Sequence, residues 1–224
     1  MTEQLSRLIL TCEHASATIP PELASVFATA EKTLGTHRAF DAGASTIAHL
    51  LAQRWNVPLF CGTVSRLVCD LNRSEHSASL WSDWTRDLPA ARHKAILTRW
   101  YQPYRTAVSE AIAHALQELH AGQRVLHLSL HSFTPIWKGE ERTTDLGLLY
   151  DPSRQPEKTL ALALQTALHE QLPTARIRRN APYRGTADGL TTTLRKHYPA
   201  SHYLGFELEC NQGGRFPAER CANV

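Results

Sequence analysis

The sequence predicts an α/β protein, a three-layer α/β/α sandwich in which a mainly parallel central sheet lies between two layers of helices. Two observations favour this fold class. Short apolar runs typical of buried strands alternate with amphipathic segments of helical period, and several of the runs end directly in polar residues. The chain of 224 residues is long enough to bury one sizeable core, and no long linker divides it. We therefore expect one domain spanning residues 1–224.

The first half of the chain contains two strand-like regions and two helical regions. "RLILTC", from Arg7 to Cys12, is a short apolar run that ends in the polar "EHAS" and predicts a buried strand. Apolar residues recur at helical spacing between positions 37 and 55 and stop before Pro58. "VPLFCGTVSRLVCDL" then predicts one or two strands, and residues 90–120 carry an apolar face that predicts a long helix or a helix pair.

The second half repeats this alternation. "RVLHLSLHSF" and "DLGLLYD" predict two strands, and a stripe of leucines from Leu160 to Leu172 predicts the helix that follows them. "RIRRN" predicts a short strand whose arginines lie on a solvated sheet edge or face an anion. Residues 191–198 predict a helix, and "HYLGFELEC" predicts the last strand. Because amphipathic helices separate the strands, most of the sheet should be parallel.

Composition limits the classes of function. The formal charge is +3 and the 24 Lys and Arg residues are scattered, which gives a nucleic-acid partner little electrostatic support. No apolar run approaches the roughly 18 residues of a membrane span, and the first residues lack the features of a secretion signal. Five cysteines without a CxxC pair indicate reduced thiols. We expect a cytoplasmic protein without a membrane or nucleic-acid partner, and its oligomeric state stays open.

Polar residues at the ends of the apolar runs predict a ligand site. The carboxyl ends of parallel strands share one edge of the sheet, where α/β proteins bind their ligands. The residues at these ends are Glu13 and His14, then Asp70, Asn72 and Arg73, then His131 and Ser132, and finally Glu207 or Glu209. Two histidines and several carboxylates from different strands predict a metal site with a general base, and zinc suits such nitrogen and oxygen ligands.

Strand geometry ranks these candidates. His127 and His131 share a face of one strand but lie roughly 13 Å apart, so they do not bind the same metal. We assign His131, at the end of the run, to the metal and His127 to the core. Glu207 and Glu209 share a face about 7 Å apart. A carboxylate that faces the sheet is costly without a charged or metal-bound neighbour, so at least one of the two should have such a neighbour.

Two arginines beside a strand-like run raise the question of their partner. Arg66 and Arg73 flank the apolar residues of "VSRLVCDLNRSEH", and guanidinium groups near a core are costly unless an anion meets them. A substrate carboxylate would fit, because a guanidinium binds it through two parallel hydrogen bonds. The alternative is a structural ion pair with Asp70.

Five blocks of the sequence follow one another in an order known from one family. They are "LTCEHASATIPPEL", "HRAFDAGASTIAHLLAQRWNVPL", "SRLVCDLNR", "HSFTPIWKGEERTTDLGLLYD" and "NAPYRG". In these blocks, which span most of the chain, the sequence resembles the N-formylglutamate amidohydrolase family, and "HSFTP" and "SRLVCDLNR" are the specific ones. The resemblance implies a fold related to that of zinc-dependent exopeptidases. It also implies hydrolysis of the C–N bond of an N-acyl amino acid, such as N-formyl-L-glutamate to formate and glutamate.

The resemblance implies a metal site at specific residues of this chain. His14 of "CEHAS" and His131 of "HSF" match the zinc histidines of the family. Asp41 of "HRAFD" matches an acidic position and is the expected third ligand, with Glu13 as its rival. We therefore expect one divalent metal ion per chain, a Zn²⁺, whose identity the sequence leaves open.

The resemblance also implies catalytic and substrate-binding roles. Glu209, with Glu207 as the alternate, is the expected general base. Asn72 and Arg73 resemble the asparagine and arginine with which carboxypeptidase relatives hold a substrate carboxylate. Arg66 is expected to form a second clamp or to polarise the scissile carbonyl. The further substrate contacts predicted are Ser132, Arg142 and Tyr183.

Two alternative functions remain open on the sequence. The first is a cysteine hydrolase that uses Cys12 with His14, although no glycine turn that would form an oxyanion hole accompanies the pair. The second is a non-catalytic binder of small anions in which the metal site has decayed. Metal content and the activity of a Cys12→Ser variant discriminate the three functions.

Overall fold

A six-stranded sheet is the centre of the computed structural model, which describes residues 7–213. The strands are β1 (Arg7–Cys12), β2 (Leu59–Cys61), β3 (Val125–Phe133), β4 (Ile136–Trp137), β5 (Glu140–Glu141), β6 (Leu146–Leu149), β7 (Ile177–Arg179) and β8 (Tyr203–Asn211). Their order in the sheet is β2-β1-β3-β8-β6-β7, and β4 and β5 form a separate hairpin. The first four strands of this order run parallel, whereas β6 is antiparallel to β8 and carries β7 parallel to itself. The prediction of a mainly parallel α/β sheet is confirmed.

Six helices connect or flank these strands. They are α1 (Glu31–Leu34), α2 (Ala44–Trp55), α3 (Ala90–Ile96), α4 (Gln102–Gln117), α5 (Gln155–Gln171) and α6 (Leu190–His197). A π-helical turn, Leu97–Tyr101, joins α3 to α4 without a break, so the predicted long helix or helix pair over 90–120 is confirmed as one helical run. Pro156 lies in the first turn of α5, where a missing N–H costs no hydrogen bond. None of the helices within residues 7–213 is long and apolar enough to cross a membrane.

The helices cover both faces of the sheet. On one face, α2 and α5 pack against the strands, with Leu10 and Leu130 of the sheet in contact with Ile47 and Leu51 of α2. On the other face, α4 and α6 cover a second cluster. Apolar side chains fill both interfaces because every strand of a parallel sheet is buried on two sides.

The face covered by α4 and α6 becomes polar toward the carboxyl ends of the strands. In the register of β3 and β8, Ser129 lies opposite Glu207 and His131 lies opposite Glu209. Since successive side chains of a strand alternate between faces, these four residues share one face. His127, four residues earlier, is fully buried and hydrogen-bonded to Thr11 and Tyr203, which confirms its assignment to the core.

The run "VSRLVCDLNR" is not a strand, and this part of the prediction was wrong. Only Leu59–Cys61 of the predicted region pairs with the sheet. Val64, Val68 and Leu71 are buried instead in a separate apolar cluster, on turns closed by short-range hydrogen bonds such as Val68 N–H to Ser65 O. A continuous apolar run indicates burial but does not distinguish a strand paired in a sheet from a series of consecutive turns.

One further local prediction needs correction, and one hairpin was missed. The helix expected from position 37 begins at Ala44, so Asp41 lies in the turn before α2 and not on a helix face. The β4–β5 hairpin was not predicted at all, because it consists of two-residue strands. Its turn places Lys138 and Gly139 at positive φ (52° and 84°), as a two-residue hairpin turn requires. The edge strand β7 has exposed Arg178 and Arg179, as expected for a solvated edge.

Candidate metal centre and substrate cleft

Three buried side chains from separate segments converge at the carboxyl ends of β1 and β3. His14 follows β1, Asp41 precedes α2, and His131 is near the end of β3. Asp41 Oδ2 lies 3.2 Å from His14 Nδ1 and 2.9 Å from His131 Nδ1. One donor atom from each residue lies within 4.8 Å of the other two.

The donor set of His14, Asp41 and His131 fits a divalent metal ion. Imidazole nitrogens and a carboxylate oxygen are ligands that zinc takes, and neighbouring ligand atoms of a tetrahedral zinc site lie roughly 3.3 Å apart. The two separations from Asp41 Oδ2 are close to that value. The three side chains are at most 5% exposed, and they lie at the floor of a cleft.

Both histidines turn their second ring nitrogen to another carboxylate. His14 Nε2 lies 2.7 Å from Asp70 Oδ1, and His131 Nε2 lies 3.1 Å from Glu13 Oε2. Metal-binding histidines commonly donate their other N–H to such an acceptor, which fixes the orientation of the ring. Glu13, the rival third ligand, therefore lies on the opposite side of His131 from Asp41.

Asp41 and Asp70 are held ionised. Burial alone would raise the Asp41 pKa, but the charge on His14 and the hydrogen bonds from His131 and His14 keep this pKa far below its usual range. Burial opposes ionisation of Asp70 in the same way, and Arg66 and His14 lower its pKa well below the ordinary value. Burial would lower the pKa of His131, but Asp41 and Glu13 raise it well above the usual value. Without a metal, the site therefore attracts protons onto its histidines, as a group of buried anions should.

Asp70 is the anion that Arg66 meets. Arg66 donates to Asp70 Oδ2 at 2.8 Å, and its other terminal nitrogen lies 3.5 Å from Asp41 Oδ1. Arg73 is farther away, with Nε 3.8 Å from Asp70 Oδ2. Arg66 thus links the outer carboxylate of His14 to the carboxylate at the metal position, and its side chain, 26% exposed, still reaches the cleft.

Glu209 brings an unsatisfied oxygen to the same place. Its side chain is 6% exposed, and Oε2 has no hydrogen-bond partner among residues 7–213. Burial, with the charges on Asp41 and Glu207, raises the Glu209 pKa to about 8 despite the opposing charge on His131. Glu207 differs, because its Oε1 accepts a hydrogen bond from the Thr191 hydroxyl at 2.9 Å. A buried carboxylate with a free oxygen in a cleft has the properties of a general base.

Asn72 and Arg73, which were predicted to bind a substrate carboxylate, already form hydrogen bonds within the protein. Asn72 Oδ1 accepts from the Leu190 N–H at 2.7 Å, which directs Nδ2 toward His131 at 3.4 Å. Arg73 donates through NH1 to the backbone oxygen of Asp188 at 2.5 Å, while its buried Nε has no hydrogen-bond partner within the described residues. Its side chain is 29% exposed at the cleft. Both residues therefore line the cleft while part of their hydrogen-bonding capacity is used within the protein.

The three other residues predicted to contact the substrate, Ser132, Arg142 and Tyr183, differ in the contacts they make within the protein. The Ser132 hydroxyl donates to the backbone oxygen of Ala42 at 2.7 Å, and its N–H donates to Asp41 Oδ2 at 3.3 Å. The Arg142 guanidinium lies over the rings of Phe133, Trp137 and Tyr183, at 5.6, 5.0 and 5.1 Å. It also donates to the Tyr183 hydroxyl at 3.0 Å. Arg142 thus supports the cleft wall, whereas the half-exposed Tyr183 ring faces into the cleft.

These side chains line a cleft with about 1050 Å³ of empty space, part of it open to solvent. The cleft contains all the predicted site residues except Glu13 and Arg142. Residues of the lining that the sequence did not single out are Arg38, Trp137, Arg184, Ala187 and Asp188. Most of them come from the β4–β5 hairpin and the loop before α6, where short strands and irregular backbone leave no periodic pattern to read.

The buried Ser129 and the partly buried Tyr104 are two partners of Glu13 that the sequence did not single out. Ser129 donates to Glu13 Oε2 at 2.5 Å, and Tyr104 of α4 donates to Oε1 at 3.0 Å. Ser129 lies two residues before His131 on the same strand face, so strand alternation was the available signal. No sequence pattern indicated the role of Tyr104, because contact between a helix and a sheet depends on tertiary packing.

Cys12 has no access to the cleft. It is fully buried in the apolar cluster under α2, on the opposite face of the sheet from Ser129 and His131. Burial raises its pKa far above the ordinary thiol value, and the Glu13 charge adds to this. Cys12, Cys61 and Cys69 are free thiols, and Cys221 lies outside the described residues. The geometry gives no support to a cysteine nucleophile.

Comparisons with known proteins concern the fold and the family of this chain. A solved structure, gene product Atu2144 from Agrobacterium tumefaciens, is similar to this chain with a TM-score of 0.77 and 32% sequence identity. The similarity covers 96% of this chain and 83% of that one. No curated protein matches the sequence. The family model of N-formylglutamate amidohydrolase matches residues 6–214. The chain therefore belongs to the N-formylglutamate amidohydrolase family, a family of hydrolases.

Proposed function

We propose that this protein is a metal-dependent amidohydrolase that cleaves the C–N bond of an N-acyl, in particular N-formyl, amino acid. The observation that carries the proposal is the convergence of His14, Asp41 and His131 beside the unpartnered carboxylate oxygen of Glu209. Family membership supports amide hydrolysis as the reaction class. The substrate is a small molecule with a free carboxylate, since arginines and an asparagine line the cleft next to the metal position.

The three converging side chains would hold one divalent ion, and we propose zinc. Their nitrogen and oxygen donors match its preferences, and Asp41 contributes the carboxylate because its Oδ2 faces both histidine Nδ1 atoms. A bound ion supplies a Lewis acid, which polarises a carbonyl group and makes water more acidic.

The protein's own groups carry the proton and orient the substrate. Glu209 takes a proton from the attacking water and delivers it to the nitrogen of the leaving amine, so that the C–N bond breaks as a carboxylic acid and an amine form. The Arg66 guanidinium stabilises the negative charge that develops on the carbonyl oxygen. Asn72 and Arg73 hold the substrate carboxylate and thereby fix the position of the scissile bond.

Metal analysis combined with a substrate screen tests this proposal. The purified protein should contain about one divalent ion per chain and hydrolyse N-formyl or N-acetyl amino acids. His131→Ala should lose the metal and the activity. His127→Gln is the matched control, because His127 lies on the same strand and face but hydrogen-bonds through its ring to Thr11 and Tyr203 and not to the metal position, and the variant should keep the metal.

The same experiment separates the alternatives. A protein without metal that hydrolyses none of these amides, yet binds small carboxylates, is the anion binder and contradicts the proposal. Cys12→Ser should keep most of the activity, whereas its loss together with metal-independent turnover would indicate a cysteine hydrolase. Full zinc occupancy in His131→Ala would remove this residue from the ligands.

A further inference from the structure

Glu13 lies behind His131, on the side of the imidazole ring away from Asp41. His131 Nδ1 lies 2.9 Å from Asp41 Oδ2, and Nε2 lies 3.1 Å from Glu13 Oε2. Glu13 is fully buried and does not line the cleft. It therefore has no route to the substrate, and any effect it has on the reaction passes through His131.

The hydrogen-bond partners of His131 define which ring nitrogen carries the proton. An ionised carboxylate only accepts hydrogen bonds, and Ser129 gives its single hydroxyl proton to Glu13 at 2.5 Å. The Ser129 oxygen, 2.9 Å from His131 Nε2, is then a second acceptor at this nitrogen. These two contacts are shorter than the 3.4 Å to the Asn72 amide nitrogen. Nε2 therefore keeps its proton on the Glu13 side, and Nδ1, which donates to Asp41 in the metal-free protein, is the nitrogen that gives up its proton and offers its lone pair when a metal binds.

The carboxylate of Glu13 is itself fixed from several sides. Tyr104 donates to Oε1 at 3.0 Å, while Ser129 and His131 contact Oε2. Burial would raise the Glu13 pKa, but hydrogen bonds from His131, Ser129 and Thr11 hold it well below the usual range. Asp70, the corresponding carboxylate at His14, instead pairs with Arg66 at the cleft. Of the two, only Glu13 is separated from the substrate arginines.

We propose that Glu13 is a positioning residue that fixes His131 as the Nε2–H tautomer and directs Nδ1 to the metal, an inference that rests on the proposed function. An acceptor at the far nitrogen also raises the basicity of the ligating one and restricts rotation of the ring. This role explains why an acidic residue precedes the histidine in "CEHAS" although only the histidine reaches the cleft.

Zinc affinity of the metal-free protein tests this role. Glu13→Gln keeps the side-chain volume but replaces the carboxylate by a weaker, neutral acceptor. We expect its Kd for Zn²⁺, measured by competition with a chelating indicator, to rise about 10- to 100-fold. Tyr104→Phe is the control, since it removes a hydrogen bond to Oε1 and leaves the contact with His131 intact. Its Kd should change less than about threefold, because the carboxylate that contacts His131 is still present.

A second measurement needs no variant and decides the case if Glu13→Gln does not fold. Nitrogen chemical shifts of the imidazole in the zinc-loaded wild type should report a protonated Nε2 and a metal-bound Nδ1 for His131. Zinc on Nε2, or a Glu13→Gln variant with wild-type affinity, overturns the inference. A wild type that binds no zinc contradicts the proposed function as well, whereas zinc binding that is insensitive to Glu13→Gln contradicts only the role of Glu13.

Discussion

At the scale of single residues, some charged groups of the site are paired within the protein, whereas others are available to a ligand in the cleft. Arg66 binds Asp70 through a hydrogen bond of 2.8 Å, while Arg73 makes one hydrogen bond to the Asp188 backbone. The buried Nε of Arg73 lies 3.8 Å from Asp70 Oδ2 and has no hydrogen-bond partner in the described part of the chain. Buried donors without partners are uncommon in native proteins and suggest a ligand. Arg73 is therefore the better candidate for the substrate carboxylate, and Arg66 for the reacting carbonyl.

Replacement of Arg73 should weaken substrate binding more than turnover. Its contacts with a carboxylate exist in the ground state and in the transition state, so Arg73→Ala should mainly raise KM. The loss of a charge-assisted, bidentate contact costs about 2–4 kcal/mol, which lowers kcat/KM by about 30- to 1000-fold. Arg73→Lys should restore only part, because an ammonium group lacks the planar fork.

The substrate provides the control for Arg73. An N-acyl amino acid amide, which lacks the carboxylate, should be a poor substrate for the wild type and should lose little more in Arg73→Ala. Equal losses for acid and amide, together with a lower Tm, would show that Arg73 only anchors the loop at Asp188.

Glu209 and Glu207 form a matched pair for testing the general base. Glu209→Gln should lower kcat by roughly 10²-fold or more at unchanged metal content, because the proton acceptor is lost. Glu207→Gln should have a much smaller effect, since Glu207 is engaged with the Thr191 hydroxyl, and an amide oxygen can accept the same bond. Steady-state kinetics at saturating substrate gives both numbers. The assignment fails if both variants turn over at the wild-type rate or if Glu207→Gln is the slower one.

The sequence could predict which residues lie at the site, but not how all of them are oriented relative to one another. His14, His131 and Glu209 end strands, and this alone brings them to one edge of the sheet. The choice between Asp41 and Glu13 depends on which side of the His131 ring each carboxylate approaches. That side follows from the turn before α2, which the helical pattern did not reveal.

At the scale of elements, the end of β2 supports the segment that carries Glu13 and His14. Gly62 N–H donates to the Cys12 oxygen at 2.9 Å, directly after the last residue of β2. A Cβ at position 62 would overlap the carbonyl oxygen of Glu13 and lie 2.9 Å from a methyl group of Leu71. The backbone of the site is thus in close contact with β2, and only a glycine allows this contact.

Gly62→Ala should therefore destabilise the fold. Insertion of a methyl group against backbone costs about 1–3 kcal/mol in the free energy of unfolding, which urea denaturation measures. Gly35→Ala is the control, because Gly35 has a φ of −83° and no atom within 4 Å of its added Cβ. Its effect should stay within about 0.5 kcal/mol. Equal stabilities of the two variants would show that the strand end relaxes without cost.

Elements with a strong period were predictable, whereas elements set by tertiary contacts were not. β3, β8, α4 and α5 have long apolar patterns, and all are present where the patterns indicated. The turns of residues 64–71 are as apolar as a strand because they fill a separate cluster beside the sheet. The antiparallel direction of β6 relative to β8 was equally unpredictable, since an apolar run of four residues does not show whether the neighbouring strand is parallel.

At the scale of the whole molecule, buried polar contacts link the strands on the face that carries the site. Thr11 of β1, His127 of β3 and Tyr203 of β8 are connected by hydrogen bonds of 2.8 Å on each side of the imidazole. Such fully buried polar groups add specificity to strand register only while every partner is satisfied. The protonation state of His127 is therefore coupled to the stability of the fold.

His127 should make the protein less stable in mild acid. Burial lowers its pKa from 6.5 to about 4, so between these values the unfolded chain binds a proton that the native protein does not. The free energy of unfolding then rises with pH in this window, is fully regained above the unfolded pKa, and falls by about 2 kcal/mol between pH 7.5 and 5.0. His127→Gln, which cannot titrate, should lack this component. Urea unfolding of both metal-free proteins at the two pH values measures the difference, because all other titrating groups are common to them. Parallel losses of stability in wild type and variant would show that His127 is already charged in the fold.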